Sequence, residues 1–283
     1  MKARRVVRQS AAIFLRWLQP RRYLTNLVRQ RTNSHVYGGP FTGMRYVTVE
    51  EAAGARFFSG PHLARLLGRF ERELVPKVEY VVAENFDELT VVGAAEGYYA
   101  IGFALRLPGA TVQAFELNAK SRALMATMAT RNDVADRVVI HGKCETDLLS
   151  TCLNGNRKPF VLCDVEGYES ELMDPQRVPE LEKAYILVEL HEFKHPGIGQ
   201  LLRRRFEHSH TTEELCQQRV PAEDFPFSTF FTRLIPRFVI AATVREPRPE
   251  KVSWLWLQPK AHVTTDATRI GAETDESRAL LSS

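Results

Sequence analysis

One glycine-bounded turn and two short acidic stretches hold the residue types that could do chemistry. The turn is Val91-Val-Gly-Ala-Ala-Glu-Gly-Tyr-Tyr-Ala100, an apolar run leading through Gly93 and Gly97 into a helical pattern. Glycines at these places allow a tight turn and close backbone approach to an adenosine-containing ligand. A second apolar run, Val112 to Phe115, ends in Glu116, 23 residues after Gly93. A carboxylate there can accept hydrogen bonds from both ribose hydroxyls. The candidate nucleoside contacts are therefore Gly93, Ala94, Ala95, Glu96, Gly97 and Tyr98 from the turn, with Glu116 and Leu117 after the second run.

The acidic stretches are Val161-Leu-Cys-Asp-Val-Glu-Gly-Tyr-Glu169 and Leu187-Val-Glu-Leu-His191. Each ends an apolar strand in ionisable groups, which places Asp164, Glu166, Glu189 and His191 at one edge of a sheet. Asp164 and Glu166 end a strand expected beside the one that leads into the glycine turn, at the switch point where open α/β sheets bind ligands. Asp164, Glu166 and His191 are the candidate catalytic groups, any of which could remove a proton from an acceptor. Glu169 and Glu171, further along, read as solvated edge carboxylates.

Two rival chemistries are weighed against these residues. A dinucleotide site asks for G-x-G-x-x-G, but counting from Gly93 the second glycine is Ala95 and the third is Tyr98. An S-adenosylmethionine site has no pyrophosphate to cradle, so the looser turn suits methyl transfer better than hydride transfer. His191-Glu-Phe-Lys-His195 matches H-E-x-x-H, which binds zinc only from within a helix. Here it follows a strand and meets Pro196, so no zinc protease is expected. Asp164, Glu166, Glu189 and His191 could instead hold Mg²⁺ or Mn²⁺, a lesser expectation.

Val91 to Ala100, Phe115-Glu116, Asn132 with Arg137-Val138, and above all Asp164-Val-Glu-Gly-Tyr-Glu169 followed by Leu187 to His191 resemble the FkbM-type methyltransferases. These are class I S-adenosylmethionine-dependent proteins, and the resemblance runs from about Gly39 to His210. It implies O-methylation, commonly of a sugar or polyketide hydroxyl. It also implies that Gly93, Gly97 and Glu116 hold the cofactor, with Asp164 and Glu166 near its methionine end. The chain departs from the family at Val91, where an Asp is frequent, and at Ala95, where an Asn is. Both departures remove polar contacts, so a non-catalytic, degenerate module on the same fold, recruited through its basic arm, is the alternative expectation.

The elements that must position these residues alternate. Leu89 to Ala94, Thr111 to Leu117, Arg137 to His141, Phe160 to Val165 and Ala184 to Leu190 read as strands, separated by helical stretches at Tyr98 to Leu107, Ala119 to Thr130, Leu148 to Leu153 and Tyr168 to Asp174. This is the pattern of an α/β fold, a Rossmann-like doubly wound and mostly parallel sheet. Helices are expected from Pro61 towards Asn85, with a kink or restart at Pro76, and from Gln200 to Phe206. Pro221 to Phe231 reads as a loop, and short strands are expected at Arg45 to Glu50 and Thr211 to Cys216. Phe238 to Val244 and Val252 to Leu257 read as late strands, forming an antiparallel C-terminal edge.

Charge divides the 283 residues further. Ten of the 38 Lys and Arg precede the first acid, Glu50, and the remainder carries 28 basic against 34 acidic residues. A basic N-terminal arm and turn-rich lead-in (1–49) therefore precede the methyltransferase-like domain (50–260), and a polar tail (261–283) is expected to be disordered. The arm interleaves arginines with apolar residues, so residues 1–31 are expected to contact anionic membrane peripherally, and the body lacks a nucleic-acid signature. The longest early apolar stretch, Ala11 to Leu15, is too short for a secretory leader, and no stretch is long enough to span a bilayer. Cys144, Cys152, Cys163 and Cys216 show no metal-site spacing and read as reduced thiols, consistent with a cytoplasmic protein.

Overall fold

The computed structural model describes residues 20–46, 60–155, 158–218, 221–244 and 252–260. Seven strands form one sheet: β1 (Glu88–Val92), β2 (Thr111–Phe115), β3 (Val138–His141), β4 (Phe160–Cys163), β5 (Tyr185–Leu190), β6 (His210–Cys216) and β7 (Ser253–Pro259). Their order is β3-β2-β1-β4-β5-β7-β6. The first five run parallel, while β7 lies antiparallel to both β5 and β6. The order reverses between β1 and β4, so their carboxyl ends flank the topological switch point, where open α/β sheets bind ligands. The expected fold class is the one observed.

Strand side chains alternate between faces, and the two cores follow that alternation. Leu89, Val91, Val112, Ala114, Phe160, Leu162 and Leu187 pack on one face. Val92, Phe115, Val161, Cys163, Ile186 and Val188 pack on the other. Burial on both faces explains why these strands read as unbroken apolar runs.

The helices are α1 (Pro20–Thr32), α2 (Gly60–Leu67), α3 (Val75–Ala83), α4 (Tyr98–Arg106), α5 (Ala119–Arg131), α6 (Thr146–Leu153), α7 (Glu169–Leu172), α8 (Ile198–Phe206), α9 (Phe230–Leu234) and α10 (Arg237–Val244). Pro76 sits in the first turn of α3, where its missing N–H costs nothing, so it restarts the helix rather than kinking it. Asn118 caps α5 by accepting from the backbone N–H groups of Lys120 and Ser121. The four cysteines are free thiols.

Several expectations are corrected. Phe238 to Val244 forms α10, not a strand: Pro236 opens it, and Ile240, Thr243 and Val244 are buried at helical spacing. A short β-branched run is ambiguous by periodicity, and packing against Leu24 of α1 decides it here. The antiparallel edge is made instead by β7 and β6. The loop expected over Pro221 to Phe231 contains a 3₁₀ turn at Ala222–Asp224 and ends inside α9. Near the start, Arg45 makes an isolated bridge with His35, Tyr46 is in no strand, and residues 47–50 of the strand expected there lie outside the described residues. Outside them too lie residues 1–19 of the basic arm and the polar tail. Among the described residues no helix is long and apolar enough to cross a membrane.

Candidate active site

The chain leaves the sheet earlier than the apolar runs suggest. β2 ends at Phe115 and β4 at Cys163, so Glu116, Leu117, Asp164 and Val165 lie beyond the ladder at its carboxyl edge. There they line a cleft of about 300 Å³ together with Val92, Gly93, Phe115, Gly142, Lys143, Cys144, Glu166, Tyr168 and Leu172. This volume lies at the lower end of the range for small-molecule sites, and the wall is mostly apolar with a few charged groups.

Gly93 is required by the protein itself. Its φ is +79°, and a Cβ there would stand 1.7 Å from the carbonyl oxygen of Asp164. The turn after β1 therefore presses on the turn after β4, which brings the two halves of the cleft together. Gly97 (φ +97°) is likewise closed in by Met125 of α5, 2.6 Å from a built Cβ. Between them Ala95 adopts φ +48°, a conformation that strains a non-glycine residue. Its N–H donates to Glu116 Oε2 at 2.8 Å, while Glu116 Oε1 accepts from Asn118 N–H at 2.6 Å. The Glu116 carboxylate is thus held in place at the cleft wall, each oxygen retaining a lone pair for a further donor.

Of the remaining turn residues, Ala94, Ala95, Glu96, Gly97 and Tyr98 are not among those lining the cleft. Glu96 is buried, where it accepts from the Tyr46 hydroxyl and pairs with Arg65 at 2.8 Å. Burial would raise its pKa, but Arg65 and Tyr46 outweigh this and hold the carboxyl below its ordinary value. Tyr98 packs edge-on against Phe41, Tyr46 and Phe70. These two side chains serve the core in this conformation.

Behind the cleft lies an acidic cluster centred on His191. The ring is 3% exposed. Its Nδ1 donates to Glu169 Oε1 at 2.6 Å. Its Nε2 stands 3.2 Å from Glu189 Oε2, 3.7 Å from Asp164 Oδ1 and 3.9 Å from Glu166 Oε2. Lys194 pairs with Glu166, which has φ +55°. The structure thus brings Asp164, Glu166, Glu189 and His191 together as expected from the strand ends. Glu169, expected to be solvated, is fully buried and is the closest partner of the ring. Glu171 is half-exposed and pairs with Arg177.

Charge is distributed unevenly in this cluster. Burial pushes the Asp164 carboxyl well up, and Glu189 and Glu71 add to the effect. Burial alone would lower His191, but Glu169 and Glu189 outweigh it and raise the ring to about 10. Glu169 is held below its ordinary value because the bonds from His191 and Gly167 outweigh its burial. At neutral pH the ring is therefore an imidazolium and a poor proton acceptor, whereas the Asp164 carboxyl, which reaches the cleft, holds a proton more tightly than an ordinary carboxyl. Donor atoms of Asp164, Glu166 and His191 all lie within 4.8 Å of one another, a spacing that could admit one cation. Residues 191–195 form a turn, with Lys194 and His195 N–H both donating to the His191 carbonyl, so the H-E-x-x-H spacing has no helix to act from.

Three contributors carried no sequence signal. Glu71, buried under the Tyr99 hydroxyl, comes from the segment between α2 and α3. Lys143 and Cys144, after β3, line the cleft with Asp164 and Glu166 because β3 and β4 end at the same edge of the sheet.

No family model matches the chain, and no curated protein matches it. Among solved structures, it is similar to the O-methyltransferase TomG from Streptomyces achromogenes in complex with SAM (20% identity over 48% of this chain and 69% of that one, TM-score 0.38). It is also similar to precorrin-6y C5,15-methyltransferase from Geobacter metallireducens (12% identity, 65% and 88%, TM-score 0.43). A third is an O-methyltransferase from Bacillus cereus in complex with SAH (16% identity, 68% and 83%, TM-score 0.38).

Proposed function

We propose that the protein is an S-adenosylmethionine-dependent O-methyltransferase acting on a hydroxyl of a glycan or natural-product acceptor. The observation that carries this reading is the cleft at the β1/β4 switch point, lined by a backbone-anchored Glu116 and by Asp164. The residues fit such a cofactor: an apolar wall for a base, a carboxylate with spare lone pairs for ribose hydroxyls, and excess negative charge where a sulfonium would be favoured. When bound, the cofactor supplies an electrophilic methyl group.

The chain's own residues then have separate tasks. Glu116 accepts from the ribose hydroxyls. Leu117, Phe115 and Leu172 exclude water from the base. Asp164 takes the proton of the acceptor hydroxyl. His191 is a positioning residue, bonded through Nδ1 to Glu169 and turned through Nε2 towards Glu189 and Asp164, so that it fixes the carboxylates and limits their mutual repulsion. The narrower FkbM-type assignment rests on Asp164 to Glu169 and Leu187 to His191, whose ionisable groups converge in this one cluster. A divalent cation held by Asp164, Glu166 and His191 is a second reading, favoured by their mutual spacing. The non-catalytic alternative is favoured by Val91, which is 1% exposed and offers the cleft no polar group.

Calorimetry with S-adenosylhomocysteine and transfer of labelled methyl to a panel of hydroxylated acceptors test the proposal, each with and without chelator. Binding with turnover supports it. Binding without turnover on any acceptor favours the non-catalytic module, and preference for NAD overturns the cofactor assignment. Loss of turnover, but not of cofactor binding, on chelation assigns the cation to the acceptor side. Asp164→Asn is expected to lower kcat by about 100-fold or more while preserving the fold.

A further inference from the structure

Helix α1 and the α9–α10 segment form one unit outside the sheet. Leu24 is fully buried against Ile235 and Ile240, and the Tyr23 hydroxyl bonds Thr229 Oγ1 at 2.9 Å. Their outward surface is unlike the rest of the protein. Phe230 is 72% exposed, Leu234 49% and Phe238 75%, three of the eight large apolar side chains exposed among the described residues, all within nine positions. The same two segments, 20–32 and 225–244, contain Arg21, Arg22, Arg29, Arg31, Arg233 and Arg237 and not one Asp or Glu. All six arginines are exposed. Beside the apolar residues lies a cleft of about 340 Å³ walled by Phe225, Phe227, Ile235 and Ile240, with Arg233 and Arg237 also lining it.

We propose that this face docks on the surface of an anionic lipid bilayer, with Phe230, Leu234 and Phe238 entering the boundary between headgroups and acyl chains and the arginines meeting lipid phosphates. The combination has the chemistry of a membrane-surface element: exposed aromatic and aliphatic side chains, arginines in the same two segments, and no long apolar stretch. Two phenylalanines and a leucine offer on the order of 300–400 Å² of apolar area, given about 150–250 Å² for a whole aromatic side chain. That falls well short of the roughly 800 Å² per partner of a stable protein interface. A bilayer needs no such area, since each basic side chain near an anionic surface adds its own attraction. The cleft between Arg233 and Arg237 is placed to receive one phosphate with apolar walls for the adjoining glycerol. This inference is independent of the methyl-transfer reading.

The test is co-sedimentation of the full-length protein with vesicles of phosphatidylcholine alone or mixed with phosphatidylglycerol, at low and high salt. The wild type is expected to bind the anionic vesicles only, more weakly as salt rises. Phe230→Ser/Phe238→Ser and Arg233→Gln/Arg237→Gln are each expected to lower partitioning by roughly tenfold or more. All four positions are exposed and their contacts lie at the surface, so melting temperatures should change little. Undiminished binding of the Phe variant overturns the proposal and leaves attraction to another basic segment. Absence of wild-type binding, or equal binding to neutral vesicles, overturns it as well. Binding of a single-stranded oligonucleotide that displaces the wild type from vesicles and is itself weakened in both variants would reassign the face to nucleic acid.

Discussion

Glu169→Gln is the sharpest perturbation of the site, because it changes one charge and almost no volume. In the native cluster Glu169 Oε1 accepts from His191 Nδ1 at 2.6 Å and from Gly167 N–H at 3.0 Å, and the side chain is fully buried. Both bonds go to one oxygen, so a glutamine keeps them on its carbonyl without the carboxylate charge, and its amide takes the buried place of Oε2, where no acceptor meets it. A charge-assisted bond contributes about 1.5–3 kcal/mol, and a buried amide N–H without an acceptor costs about 1–3 kcal/mol. Lower repulsion among Asp164, Glu166 and Glu189 offsets part of this, so a loss of about 3 kcal/mol is expected, within the range for removing one partner of a buried pair. At about 2–4 °C per kcal/mol for a domain of this size, Tm should fall by roughly 6–12 °C. The pH dependence separates this account from a generic core defect. His191 is raised to about 10, so its contribution is complete below its unfolded value of about 6.5 and is lost as pH climbs towards 10. Glu169, held below its ordinary value, contributes above its unfolded pKa and loses that contribution as pH falls through its folded value. Urea denaturation of both proteins at pH 6, 7.5 and 9, in chelator, should show the gap narrowing as pH rises. A gap under about 1 kcal/mol at pH 6, or one that does not narrow by pH 9, refutes the charged His191–Glu169 pair.

Other outcomes follow from single contacts. Glu116→Ala should weaken S-adenosylhomocysteine binding by about 1–3 kcal/mol in calorimetry, with a small drop in Tm from the two backbone bonds it frees; equal affinity would remove Glu116 from the site. Gly93→Ala should destabilise by at least about 3 kcal/mol, since positive φ and the Asp164 carbonyl both oppose a Cβ; recovery of folded protein with native Tm would contradict the tight β1–β4 approach. Ala95→Gly should raise stability by about 0.5–1 kcal/mol by relieving φ +48°, read as a higher urea midpoint with unchanged m.

The sheet and one rim of the site were legible because both depend on strand ends. An apolar run buried on two faces has no polar residue to spare, so the first ionisable groups after it mark where the chain leaves the core, and parallel strands put these groups on one edge. Asp164, Glu166, Glu189 and His191 could be placed in this way. Glu169 could not, because its burial depends on Gly167 (φ +109°) turning the chain so that α7 folds back beneath β5, 22 residues before His191. Nothing in a Tyr-Glu-Ser-Glu stretch distinguishes a buried glutamate from a solvated one. Glu71 was invisible for the same reason, being brought in by a segment far from the strand ends. The glycine turn teaches a different lesson. Its spacing leaves room for a ligand, yet Gly93 is required by the Asp164 carbonyl and Gly97 by Met125. Ligand and protein make the same demand on a backbone without Cβ, so the glycines alone do not tell which is answered. Here the demand is answered within the protein, and by drawing the β1 turn against the β4 turn it sets the distance between Glu116 and Asp164 on which the cleft depends.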